Sequence, residues 1–306
     1  MWIIKNRKIF YIISSVMVLA SIFSIFYYGL RLGIDFKGGS IVEVEYADPT
    51  ADSNQNLPER PSIEEVTAKL VPLGLGEMII RATGEAGYII RTKDLKNEER
   101  IGVTNLLSPA KIKRFDTVGP VLGQELQGKA LWSIFLVILA IVLFITFTFR
   151  KVSKPVSSWK YGLVAIIALI HDVIIPTGFF AILGHFNGVE VDSLFVTALL
   201  VILGFSIHDT IVVFDRTREN LKHNPEGKHH QSFEDIVGKS VSSTFTRSIN
   251  TSLTVLLSLV VLYYFGPETT KNFSLALLVG LTAGTYSSIF IGSPLLVTLE
   301  KMQEKK

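Results

Sequence analysis

Six long apolar runs, at roughly 9–30, 130–149, 161–183, 194–214, 246–265 and 273–298, leave this chain few folds to choose from. About 20 apolar residues, at about 1.5 Å each in a helix, cross the roughly 30 Å of hydrocarbon in a bilayer. The expected fold is a polytopic α-helical membrane protein with six transmembrane helices. The first run resembles a secretory leader in one respect, because Lys5, Arg7 and Lys8 precede it. It is too long for a leader, and Phe26-Tyr-Tyr-Gly-Leu-Arg31 offers no small-residue cleavage site, so it reads as an anchor.

The basic residues set the expected orientation. Lys5, Arg7 and Lys8 precede the first run, and Arg150, Lys151, Lys154 and Lys160 separate the second from the third. Arg216, Arg218 and Lys222 follow the fourth run, and Lys301, Lys305 and Lys306 follow the sixth. The loops 184–192 and 266–272 carry almost no Lys or Arg. The positive-inside bias therefore predicts cytoplasmic termini and places 31–129 outside. The expected parts are an N-terminus and first span over 1–30, an outer domain over 31–129, a five-helix bundle over 130–298 and a tail over 299–306. A net charge of +3 gives no footing for nucleic acid, and the lack of cysteine excludes disulfide and thiolate chemistry.

The outer stretch is long enough for a small domain. Residues 40–46 alternate as a strand does, and Ser62-Ile-Glu-Glu65 is a capping box opening a helix that Pro72 and Gly74 close. Residues 77–82 and 88–92 read as strands, 94–107 as a helix and 111–118 as a last strand. The order is β-α-β-β-α-β, that of a small α+β ferredoxin-like domain. The polar, Pro-punctuated segment 48–61 reads as a loop. The domain has no histidine and no catalytic constellation. Gly123-Gln-Glu-Leu-Gln-Gly128-Lys129-Ala130 nearly matches a phosphate-binding loop, but Ala130 replaces the Ser or Thr that holds Mg²⁺. No nucleotide site is expected.

Ionisable residues inside spans carry the functional expectation. An ionised carboxylate at mid-bilayer is disfavoured by about 2.5–3.5 kcal/mol, so each one needs a purpose. Asp209 lies about six residues from the end of the fourth run, or about 9 Å inside the boundary. It is either a structural carboxylate held by a neighbouring helix or a protonatable relay group. Arg247 opens the fifth span, where it either snorkels to the interface or reaches Asp209 on the adjacent helix. His171-Asp172 sits in the middle of the third span, one turn before Pro176, and either passes protons or hydrogen-bonds its neighbours. His208 points about 100° away from Asp209 around the helix. Asp215, Arg216, Arg218 and Glu219 read mainly as interface anchors. Gly280, Gly284, Ser288 and Gly292 recur every fourth residue in the sixth run, forming a surface for close helix packing or sliding. Lys228-His-His230 lacks a carboxylate partner and is not read as a metal site, and none is expected elsewhere.

Two stretches resemble a known family. Gly33-Ile-Asp35-Phe36-Lys-Gly38-Gly39-Ser is similar to the signature of the SecD/SecF protein-export family. Gly204-Phe-Ser-Ile-His208-Asp209-Thr-Ile-Val-Val-Phe-Asp215-Arg216-Thr-Arg-Glu-Asn220 is similar to the fourth-span motif of its SecF branch. His171-Asp172, Thr246-Arg247-Ser248 and the glycine-rich sixth span fit the same family. The resemblance implies a bacterial inner-membrane subunit, related in fold to RND transporters, that assists the SecYEG translocon. It implies a separate SecD partner, an unfolded exported polypeptide as client, and YajC as a further candidate partner. It also implies coupling to H⁺, or in some bacteria Na⁺, with no other cofactor and no enzymatic activity. By position, Asp209 and Arg247 match the family's intramembrane ion pathway, with His171, Asp172 and His208 as further relay candidates. Gly33, Asp35, Phe36, Gly38, Gly39, Gly204, Asp215 and Arg216 match its motif positions. His208 departs from the Asn found in many relatives. An RND-type exporter of small molecules or lipids is one alternative. An intramembrane aspartyl protease using Asp172 and Asp209 is another, although the Gly-x-Gly-Asp sequence of those enzymes is missing.

Overall fold

The computed structural model describes residues 2–46, 60–76, 78–84, 86–108, 110–149, 158–223 and 231–304. Most of the loop expected over 48–61, the basic residues Arg150, Lys151, Lys154, Lys305 and Lys306, and Lys228-His-His230 lie outside them. The backbone forms two units, Leu32–Ala130 and Met1–Arg31 with Leu131–Lys306.

In the smaller unit, a short helix α3 (Ile34–Lys37) leads into β1 (Gly39–Glu45), followed by α4 (Ile63–Leu70) and a 3₁₀ turn (Val71–Leu73). Then come β2 (Ile79–Thr83), β3 (Gly87–Thr92), α5 (Asn97–Leu107) and β4 (Lys111–Val118). The sheet order is β2-β3-β1-β4 with every neighbour antiparallel, the split arrangement expected of the β-α-β-β-α-β order. Its core is built from alternate strand residues such as Val42, Val44, Tyr88 and Ile90, together with Val66, Leu70, Val103 and Leu107 of the helices. Ser62 caps α4 by accepting from the Glu65 amide at 3.2 Å. α5 starts three residues later than the sequence pattern suggests, because Glu99 reaches back to the Lys96 amide at 2.9 Å and fixes the first turn there. The Lys93 ammonium at 2.8 Å, then that amide, hold the Glu99 carboxyl below the usual carboxylate range.

The paired glycines have a steric explanation. Gly38 and Gly39 take φ of +80° and +138°, where a side chain is strained. A Cβ on Gly38 would lie 2.9 Å from Pro120 Cα, and one on Gly39 would lie 2.8 Å from the Thr92 carbonyl oxygen. Gly123 matches them, since its Cβ would stand 2.9 Å from the Phe36 carbonyl oxygen. It thus serves close packing within a continuous helix and not a phosphate loop. Gly39→Ala is expected to cost roughly 1–3 kcal/mol in backbone strain alone, with the clash in addition. Gly74 has φ +62°, but a Cβ there would meet nothing within 4 Å, so Gly74→Ala should cost only about 1 kcal/mol. Limited proteolysis of the full-length variants against temperature checks the difference; equal thresholds for both would refute it.

The larger unit holds α1 (Trp2–Lys5), α2 (Arg7–Tyr28), most of α6 (Pro120–Thr148), α7 (Ser158–Asn187), α8 (Ser193–Lys222) and α9 (Phe233–Phe265). α10 (Glu268–Ser287), a π turn (Ser288–Gly292) and α11 (Ser293–Glu304) complete it. Among the described residues six apolar helical spans are present, as the sequence predicts, and most run beyond their apolar cores. α7, α8 and α10 are the most enclosed, whereas α6 turns Leu139, Leu143, Phe144 and Phe147 outward, as a lipid-facing helix does. Close approach depends on small residues. Gly280 abuts Ile202 of α8, a Cβ on Gly284 would meet Ser206 Cβ at 3.0 Å, and Gly178 of α7 abuts Ser21 of α2.

The sixth span departs from the expected single small-residue face. Pro294 has no N–H to give the carbonyl four residues back, and its ring crowds that carbonyl. The helix widens into the π turn just before it, and the Ser293 hydroxyl donates to the Ser288 carbonyl at 3.1 Å. The four-residue spacing is therefore broken after Gly284. A Cβ on Gly292 would meet only ordinary van der Waals contacts, such as Thr210 at 3.9 Å, and the Ser288 hydroxyl turns back to the Thr285 carbonyl. At the end of the bundle that carries both termini, Glu234 accepts from Arg7 at 3.1 Å and from Lys301, tying α2, α9 and α11 together.

Candidate functional site

α8 positions the chemistry. Asp192 caps its start by accepting from the Phe195 amide at 2.9 Å, and the helix then runs unbroken to Lys222. Its buried face carries Ile202, Ser206, Asp209, Val213 and Thr217, at helical spacing of three and four. Ser206 and Asp209 therefore share the inward face, whereas Gly204, His208 and Asp215 fall on the exposed one. Nothing lies within 4 Å of a Cβ built on Gly204, so packing inside this bundle does not require that glycine.

Asp172 is a well-satisfied carboxylate in the bundle. It is wholly buried, and three side chains donate to it. His171 Nδ1 meets Oδ1 at 2.8 Å, while the hydroxyls of Ser206 on α8 and Ser287 on α10 both donate to Oδ2, Ser287 at 2.8 Å. Three helices are thus pinned through one side chain. Of the two roles open to His171-Asp172 in the sequence, hydrogen bonding to neighbouring helices is the one this geometry displays. The His171 ring stacks on Tyr286 at 6.2 Å, and Tyr286 in turn donates to the Phe10 carbonyl of α2 at 3.2 Å.

Asp209 is different. It is 3% exposed, yet its Oδ2 has no hydrogen-bond partner among the described residues. The side chains acting on its carboxyl are Ser248 and Ser252 of α9, His208 and, through space, Arg247. Ser248 Oγ is itself buried and unpartnered, so the two groups face each other without closing a hydrogen bond. Ser252 Oγ also accepts from Thr285 of α10 at 2.7 Å, which links this site to α10. A buried carboxyl oxygen without a donor is a place where a proton or small cation can be received at little competing cost. Asp172, by contrast, has donors on both oxygens. Among the described residues the two carboxyls share no hydrogen bond.

The expected Asp209–Arg247 pair is not formed. Ser248 takes the inward face of α9, and Arg247, about 100° around the helix, is exposed. It lines a cavity of about 330 Å³ between α8 and α9, along with Asp215, Arg216 and Glu219. Those anchors pair locally: Arg216 with Glu219 at 2.6 Å and Arg218 with Asp215 at 2.7 Å. Arg216 also reaches Ser243 of α9 at 3.4 Å, which docks the end of α8 on its neighbour. Gly33 precedes α3, Asp35 lies within it, and Phe36 is buried, all in the smaller unit.

Sequence reasoning missed the hydroxyls. Ser206, Ser248, Ser252, Thr285 and Ser287 organise both carboxylates, but serine and threonine are common in membrane helices and usually bond their own backbone. One usable signal was spacing: Ser206 stands three residues before Asp209, and Ser248 four before Ser252, each pair on one helical face.

The chain is similar to known proteins over most of its length. Residues 102–302 match the model of the family "Protein export membrane protein SecD/SecF, C-terminal", and residues 23–50 match the SecD/SecF GG motif. The chain is 40% identical over 314 residues to the protein translocase subunit SecF of Thermobaculum terrenum, covering 97% of this chain and 93% of that one. It is 38% identical to the protein of the same name from Anaerolinea thermophila, covering 97% and 94%. The crystal structure of SecDF, a translocon-associated membrane protein from Thermus thermophilus, superposes with a TM-score of 0.79 at 28% identity over 97% of this chain. The chain spans 38% of the length of that solved protein.

Proposed function

We propose, from the premise that the chain belongs to the SecD/SecF family of protein-export membrane proteins, that it acts as the SecF-type subunit of the Sec translocation apparatus. It is a multi-pass protein of the bacterial inner membrane. In this reading it works beside a separate SecD chain and the SecYEG channel, and unfolded secretory polypeptide is its client. Its termini face the cytoplasm, in keeping with the basic residues at that end. An ion gradient, H⁺ or Na⁺, supplies the energy through Asp209. The single observation that carries this coupling is the buried Oδ2 of Asp209, left without a donor opposite Ser248 of α9.

The proposed sequence of events uses only this chain's residues. Taking up a proton on Asp209 removes a buried charge and supplies an O–H that Ser248 can accept. That bond would draw α8 and α9 together at this level, and the Ser252–Thr285 contact would pass the movement to α10. Asp172 keeps α7, α8 and α10 in register throughout.

Purification of the tagged chain from membranes tests the assignment. A SecD-type chain should co-purify with it, and depletion of the chain should delay export of secreted proteins without altering small-molecule efflux. Altered efflux with unaffected export would favour the RND-type exporter instead.

A further inference from the structure

The cavity between α8 and α9 has a charge pattern that the ion relay does not explain. It lies where the apolar part of α8 ends, the depth at which lipid headgroups meet a membrane protein. Both of its carboxylates, Asp215 and Glu219, stand on α8. Among the described residues its charge on α9 is Arg247, with the Ser243 hydroxyl on the same helix. Two arginines and two carboxylates make up its charged lining, beside the hydroxyl-bearing Ser243 and Thr244. Arg216 is committed to Glu219 Oε2 and to Ser243, and Arg218 to Asp215 Oδ1, so a further donor would meet the other oxygen of each carboxylate, whereas the guanidinium of Arg247 has no hydrogen bond or ion pair among the described residues. Val212 supplies an apolar edge toward the membrane interior.

We propose that this cavity holds the phosphoethanolamine headgroup of a phospholipid. Its phosphate would sit on Arg247, whose planar fork suits phosphate oxygens, with Ser243 donating alongside. Its primary ammonium would sit against Asp215 and Glu219, which accept its N–H donors. Phosphocholine has no such donors, and phosphoglycerol has no cation, so neither can satisfy both walls. The inference rests on the reading of the chain as membrane-spanning and is independent of ion coupling.

The test uses the full chain, purified in mild detergent with the subunits that accompany it and stripped of native lipid. Native mass spectrometry then follows retention of phosphatidylethanolamine, phosphatidylcholine and phosphatidylglycerol of identical acyl chains. Phosphatidylethanolamine should be retained preferentially, and Arg247→Gln should lower its retention by about tenfold, the effect of losing one charged hydrogen-bond donor. The double variant Asp215→Asn with Glu219→Gln should erase the preference over phosphatidylglycerol. Equal retention of the three lipids, or an Arg247→Gln protein that behaves as wild type, overturns the proposal. Complete displacement of the lipid by soluble phosphoethanolamine or inorganic phosphate also overturns it, because the site would then be one for a free anion. Export is not part of the readout, so failure of the relay mechanism would leave these results unchanged.

Discussion

Asp209→Asn should reduce gradient-dependent export by about tenfold or more while leaving the protein at normal abundance and in its complex. Asn matches Asp in size but cannot gain or lose a proton, so any step that depends on that change stops. A neutral amide at this depth is no harder to bury than an ionised carboxylate, so insertion should not suffer. The amide can also donate to Ser248, whose hydroxyl is buried without a partner, and so hold α8 and α9 in one arrangement. Asp209→Glu keeps a titrating group but pushes it one methylene further into a packed face, and should retain partial export. Pulse-chase labelling of a secreted protein, with the variant level checked by immunoblot, gives the answer. Wild-type export by Asp209→Asn would remove the relay.

Asp172→Ala should have the largest structural effect. It deprives His171, Ser206 and Ser287 of their shared acceptor and leaves a void among three helices. Hydrogen bonds between membrane helices average about 0.6 kcal/mol and reach about 1.7, so the combined loss is roughly 1–3 kcal/mol before the void is counted. Part of this can be recovered, because the Gly284 carbonyl lies 3.1 Å from the Ser287 hydroxyl and offers it another acceptor. Asp172→Asn keeps one acceptor oxygen and the side-chain volume, and should lose much less. The two carboxylates are thus expected to separate: substitution to Asn matters for export at 209, and truncation to Ala matters for stability at 172. Thermal aggregation of the detergent-solubilised proteins measures the second effect. A protein carrying Asp172→Ala that melts with wild type would show that the pinning is unimportant.

Much of this was readable in the sequence because the bilayer imposes one-dimensional rules. Span length, the strand order of the smaller unit and the burial of Asp209 all follow from local patterns of apolar and small residues. What could not be read depends on rotation about helix axes. Arg247 and Ser248 are neighbours in sequence, and only the packing of α9 on α8 decides which of them faces Asp209. The π turn was hidden for a related reason: Pro294 announces a disturbed hydrogen bond, but a kink and a widened turn both accommodate it. The network around Asp172 joins residues more than thirty positions apart through hydroxyls that have no periodic signature.

In the proposed mechanism the ion gradient acts through Asp209 and not through Asp172. Proteoliposomes holding the complex test this, with proton flux recorded by a trapped pH-sensitive dye under an imposed pH gradient during export of an unfolded polypeptide, and Na⁺ flux recorded by a trapped Na⁺-sensitive dye in a parallel series under an imposed Na⁺ gradient. Export-dependent flux driven by one of the two ions should be seen with wild type, persist with Asp172→Asn and vanish with Asp209→Asn. Flux that survives Asp209→Asn, or vanishes only with Asp172→Asn, would contradict the account.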